Sequence, residues 1–322
     1  SGGEVKTATV EDAIGRLVNA EWGALGNGAT AVIEIARAVG LARLTPEERD
    51  VRITSTYGVG QLFIEALNKG FSDFIIGVGG SATNDGGAGM IQAMGGRLLD
   101  ENDDDLPRGG AALANLSRID ISGLDPRMAS SNVVVACDVN NPLCGPKGAS
   151  AIFGPQKGAS NEDIQELDAA LSNYASVISK DLHTDVAEIP GAGASGGLGA
   201  GLMGFFDARL RLGADIVMES VDLQGHLKHA DLVIVGEGQF DRSTVFNKAP
   251  IAVARRAKTL GIPVIGIAGS LGAGFTEVHN HGIDAVFSLV NRPMSLKAAM
   301  EDTKRLVVIA TEEACRAINL NV

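Results

Sequence analysis

Cysteine is scarce. The three in 322 residues, Cys137, Cys144 and Cys315, are too few and too unevenly spaced for a disulfide framework or a zinc site, which points to a reducing, cytoplasmic setting. No apolar run approaches the roughly 20 residues that cross a bilayer, so no membrane partner is expected. Aromatic residues make up only 4% of the chain, with Trp22 the single tryptophan, and the net charge is −12. Few stacking platforms and no clustered Lys and Arg face together exclude a nucleic-acid partner. The opening Ser1-Gly2-Gly3-Glu4 carries neither an initiator Met nor signal-peptide character.

What is abundant is glycine, 42 residues of it, beside a 45% hydrophobic content. A chain of this length and composition buries two cores more readily than one, with many tight loops around them. The stretch that organises the reading is FIIGVGGSATNDGGAGMIQAMGGRLL, from Phe74 to Leu99. Phe74 to Val78 is an unbroken apolar run, as in a strand covered on both faces. A loop of glycine, hydroxyl, amide and carboxylate follows, and Met90, Ile91 and Met94 then return at helical spacing. Strand, glycine loop and helix is the arrangement that presents backbone N–H groups to an anion. Asp85 would repel a phosphate unless a metal ion lay between them, so the loop suggests Mg²⁺ with a nucleotide. It is neither a Walker A loop nor a clean dinucleotide fingerprint.

Further apolar runs at Val133–Cys137, Leu232–Val235, Val264–Ala268 and Ala285–Ser288 predict parallel strands separated by helices. The fold expected is α/β: a doubly wound, Rossmann or flavodoxin-like parallel sheet over 53–139 and 216–322. A second, mixed α/β domain is expected over 1–52 and 140–215, with a cleft between the two. In the second domain Val5, Thr7 and Thr9 alternate, Gly26-Asn27-Gly28 reads as a hairpin turn, and Trp22 is expected to pack in a small sheet. Asn161-Glu162-Asp163 begins an amphipathic helix to about Ser179, with Ile164, Leu167, Leu171, Tyr174 and Ile178 on one face. Asp138 and Glu237 each follow a predicted strand at its carboxyl end, where open α/β sheets place ligands.

Four blocks carry a resemblance: GVGGSATNDGGAGM (77–90), ACDVNNPLCGPKGASAIFGPQKGAS (136–160), PGAGASGGLGAGL (190–202) and GEGQFDRSTVFNKAP (236–250). In this order they resemble the signature blocks of the type I glycerate kinases. The resemblance implies ATP-dependent phosphorylation of D-glycerate with Mg²⁺, and 2-phosphoglycerate as product in the best-known bacterial branch. Formation of 3-phosphoglycerate would need the same parts with the substrate turned round. The family opens with a segment like APDSFKGS and later carries ADGGEGT. Neither is present here, so the chain is expected to be N-terminally incomplete. Gln239 stands where arginine is common, Asn247 where glycine is usual and Gln61 where glutamate is frequent.

Phosphorylation of a hydroxyl needs a base for its proton and positive charge on the transferring group. Asp85 and Asp138 are assigned to base or metal duties and Lys157 to charge. Glu237 and Asp241 are assigned to Mg²⁺. Gly79, Gly80, Ser81 and Asn84, with Asn141, Ser243, Thr244 and Lys248, are expected to bind substrate and nucleotide. Asp85, Asp138 and Glu237 are expected to converge on one cleft holding ATP and D-glycerate. A homodimer is compatible with the sequence. Two alternatives stay open: a nucleotide- or sugar-acid-binding module without catalysis, and an NAD-dependent hydroxy-acid dehydrogenase. The latter would lack an acid about 20 residues beyond a proper fingerprint.

Overall fold

Eight strands are laid down before residue 213: β1 (Glu4–Glu11), β2 (Leu17–Ala24), β3 (Thr30–Glu34), β4 (Asp73–Gly77), β5 (Arg97–Leu99), β6 (Arg118–Asp120), β7 (Asn132–Ala136) and β8 (Arg209–Arg211). The computed structural model describes residues 1–246 and 248–318. Six of these strands form one mixed sheet in the order β1-β2-β3-β4-β7-β8. The hairpins β1/β2 and β2/β3 are antiparallel, whereas β3, β4, β7 and β8 run parallel. The turn before β3 forms where expected. Gly28 takes a φ of +73°, and the Asn27 side chain accepts from the N–H groups of Ala29 and Thr30.

The parallel centre owes its position to side-chain alternation. Phe74 and Ile76 of β4 lie opposite Val133 and Val135 of β7, and all four are buried. The helix Tyr57–Asn68 covers that face, bringing the Phe63 ring to 4.7 Å from Phe74. Truncating either ring to alanine would cost about 3–5 kcal/mol. Trp22 is buried as expected, edge-on to Phe71 at 5.3 Å. The long helix Asn161–Leu182 is held at its start by Ser160, which accepts from the Asp163 N–H, while Asp163 accepts in return from Ser160 N. Leu167, Leu171, Tyr174 and Ile178 bury one face of that helix.

The remaining strands, β9 (Val233–Phe240), β10 (Val264–Leu271) and β11 (Ala285–Ser288), form a separate all-parallel sheet in the order β11-β10-β9. It has its own core, including Val235, Phe240, Ile251, Ala254 and Val264.

The chain thus divides into Ser1–Gly213 and Ala214–Val322. The α/β class is as the sequence reading expects, but the partition differs. Strands from 1–52 and from 53–139 hydrogen-bond within one sheet, so 53–139 groups with the N-terminal hairpins and not with 216–322. Buried parallel strands look alike in composition wherever they pair, and strand partnership is a long-range property that their apolar runs do not encode.

Candidate active site

In the first unit, β4 and β7 are neighbouring parallel strands, and their carboxyl ends open onto a cavity of about 340 Å³. Its walls include Gly79, Gly80 and Ser81 after β4, Asp138 after β7, Gln156 and Lys157, and Ser195. This is where an open parallel sheet places a ligand. Glycine allows that approach. Gly80 has a φ of +74°, and a Cβ added to Gly79 would meet nothing within 4 Å.

Lys157 is the most constrained wall residue. Its side chain is 2% exposed, and its ammonium donates to Ser81 Oγ at 3.1 Å and to the Thr83 carbonyl at 2.6 Å. Burial lowers its pKa to about 7, against an opposing pull from the negative charge of Asp85. Lys157 therefore fixes the glycine loop and also brings a titratable cation to the cavity. Asp138 is exposed and has one carboxylate oxygen engaged, Oδ1, which accepts from Gly213 N at 3.0 Å.

Asp85 is placed otherwise. It is fully buried and absent from the cavity wall. Its Oδ2 accepts from Thr56 N (2.8 Å), Thr56 Oγ1 (2.9 Å) and Gly89 N (3.1 Å), and its Oδ1 from Gly87 N (3.2 Å). Desolvation raises its pKa, opposed by these donors. The expected convergence of Asp85 with Asp138 on one cleft is thus corrected: Asp85 ties the loop to Thr56 from beneath, because four donors converge on its carboxylate inside the protein.

Asn84 and Asn141 also lie off the wall. Asn84 is buried, donates to Ser150 Oγ at 2.9 Å and leaves Oδ1 without a partner. Asn141 donates to the Lys147 carbonyl, and its own carbonyl accepts from Gly191 and Gly193 N–H, which shapes the following glycine turn.

Ser195, like Gln156, is a polar wall residue that the sequence reading does not name among the site residues. The signal for it is the Ser-Gly-Gly run 195–197, whose three residues all take left-handed backbone angles (φ 58°, 70° and 89°).

The second unit holds the other expected residues. Glu237 lies on β9, pairing Oε1 with Lys248 Nζ at 2.7 Å, while its Oε2 is buried with no partner. This contact raises the Lys248 pKa. Asp241 Oδ1 accepts from Ser243 N and Oγ, which holds its pKa low, and Asp241 N donates to Thr244 Oγ1. Asp241, Ser243 and Thr244 therefore form one turn just before the helix Ala249–Thr259.

Among the described residues no three His, Cys, Asp or Glu side chains gather as a metal cluster. Mg²⁺ typically takes only one or two carboxylates beside phosphate and water, and the unpartnered Glu237 oxygen suits such a ligand. Of the departures from the family pattern, Gln61 has a structural partner, accepting from Glu11 N at 2.7 Å. Asn247 lies outside the described residues.

The Glycerate kinase family model matches residues 1–319. The chain belongs to the glycerate kinase family. Among its relatives, a glycerate kinase of Halalkalibacterium halodurans is 52% identical, over 98% of this chain and 82% of that protein. A glycerate 2-kinase of Escherichia coli is 50% identical, over 98% of this chain and 81% of that protein. A crystal structure from Salmonella typhimurium LT2 matches with a TM-score of 0.86 at 47% identity, over 98% of this chain and 84% of that one. In this member of the glycerate kinase family the glycine loop after β4 forms part of the cavity wall, with Lys157 as its anchor. Among the described residues no helix is long and apolar enough to cross a membrane.

Proposed function

We propose that this chain transfers the γ-phosphoryl group of ATP to the 2-hydroxyl of D-glycerate, forming 2-phosphoglycerate and ADP in the cytoplasm. The observation that carries the reading is the cavity at the ends of β4 and β7, with one carboxylate, one buried cation and a glycine loop on its walls. Its volume of about 340 Å³ suits a three-carbon acid, since it lies at the small end of the roughly 300–1,000 Å³ usual for ligand pockets. Membership of the family and 50% identity to a glycerate 2-kinase support the choice of hydroxyl.

In this reading Lys157 and Ser81, with the Gly79 and Gly80 backbone, hold the substrate carboxylate. Asp138 accepts the hydroxyl proton as the substrate oxygen bonds to the γ-phosphorus and the bond from that phosphorus to the β–γ bridging oxygen breaks. Asn84 and Asp85 support the loop from behind, and Asn141 shapes the Gly191–Gly193 turn. In the second unit, Lys248, Ser243 and Thr244 are assigned to nucleotide phosphates. Glu237 and Asp241 would hold Mg²⁺, which neutralises phosphate charge when bound. Incubating the chain with D-glycerate, ATP and Mg²⁺ and following ³¹P resonances tests this. A 2-phosphoglycerate signal rising with ADP is expected; a 3-phosphoglycerate signal, or none, contradicts it.

A further inference from the structure

Residue 195 is a serine where glycine would fit better. It lies in the left-handed region (φ 58°, ψ 39°) and is followed by Gly196 and Gly197 in the same region. A side chain there costs about 1 kcal/mol or more relative to glycine. Its hydroxyl is no compensation within the protein, because Oγ is buried without a hydrogen-bond partner. Backbone strain and an unmet polar atom thus fall on one residue, and that residue lines the cavity.

Its neighbourhood indicates what it meets. A Cβ added to Gly196 would lie 2.0 Å from the Thr83 carbonyl oxygen, so the turn rests directly on Thr83. The same carbonyl accepts from Lys157 Nζ at 2.6 Å. Gly196, the residue after Ser195, and Lys157 therefore adjoin one backbone group, and Ser195 and Lys157 both line the cavity, a hydroxyl donor and a cation on one wall. Asp138 brings negative charge to the end of the neighbouring strand. A hydroxy acid matches this polarity with its carboxylate towards Lys157 and Ser195 and its alcohol towards Asp138.

We propose that Ser195 donates its hydroxyl hydrogen to the carboxylate of the hydroxy acid and so helps select an acid over a neutral analogue. This rests on the reading of the cavity as the hydroxy-acid site. Ser195→Ala removes the donor and keeps the backbone strain, whereas Ser195→Gly removes both, so the second variant melts no lower than the wild type.

Calorimetric titration of each full chain with D-glycerate, with its neutral amide and with ATP is the test. Both variants are expected to bind D-glycerate about tenfold more weakly, the loss of one hydrogen bond to a charged group. Preference for acid over amide shrinks with it, and ATP affinity is unchanged. D-glycerate affinity within about twofold of wild type in both variants overturns the proposal, as does equal weakening for acid, amide and ATP. A wild-type chain that fails to bind D-glycerate at all refutes the reading of the cavity, a result distinct from either.

Discussion

The ammonium of Lys157 donates to the carbonyl oxygen of Thr83 at 2.6 Å, across 74 positions of sequence. That bond closes the glycine loop after β4 against the short 3₁₀ turn Pro155–Lys157. It also places a buried lysine on the cavity wall, where the proposed function puts the substrate carboxylate.

The pH dependence follows from that burial. The lysine's folded pKa is lowered to about 7 from 10.5, so between those values the unfolded chain keeps a proton that the folded chain has released. The contribution of this group to stability therefore grows as pH rises across that window. Substrate binding runs the other way, since the cation that holds the carboxylate is lost. The kcat/KM for D-glycerate should fall as pH rises through about 7, and a pH–rate profile of the free enzyme checks it. Lys157→Gln should remove that limb and lower kcat/KM by about 100-fold.

Asp85 is expected to act on stability. Replacing it with alanine leaves the Thr56, Gly87 and Gly89 donors unmet in the interior. A loss of about 3 kcal/mol or more is expected for a buried network broken on one side. Denaturant unfolding of Asp85→Ala should show a lower midpoint and an unfolding free energy reduced by that amount.

Two glycines separate clash from tolerance. Gly196 combines a φ of +70° with a Cβ position 2.0 Å from the Thr83 carbonyl oxygen, whereas a Cβ on Gly79 meets nothing within 4 Å. Gly196→Ala should cost about 3 kcal/mol or more, while Gly79→Ala should melt near the wild-type temperature. Thermal unfolding of the pair checks both.

Glu237 offers a test in the second unit. Its unpartnered Oε2 is the oxygen assigned to Mg²⁺, while Oε1 is taken by Lys248. Glu237→Gln should raise the Mg²⁺ concentration for half-maximal activity about tenfold, read from a magnesium titration at saturating ATP.

The longer strands were legible because apolar runs such as Phe74–Val78 and Val133–Cys137 carry their own signal, unlike the three-residue β5, β6 and β8, and the glycine loop between strand and helix marked the cavity wall. The partition was not, because the pairing of β3 with β4 joins segments separated by a helix and a long loop. Asp85 reads in sequence like any loop carboxylate. Only folding shows that Thr56, 29 residues earlier, turns it inward. Ser195 was legible as a residue but not as a wall, since its meaning lies in three successive left-handed residues, the middle one, Gly196, resting on Thr83.

The central claim is that Asp138, at the end of β7, takes the proton of the hydroxyl being phosphorylated. Steady-state turnover of Asp138→Asn with D-glycerate, ATP and Mg²⁺, set beside its melting temperature, tests it most directly. A kcat lowered by about 10²–10⁴ with melting unchanged is expected, as for loss of a general base on an exposed side chain. Turnover within a few-fold of wild type would contradict it.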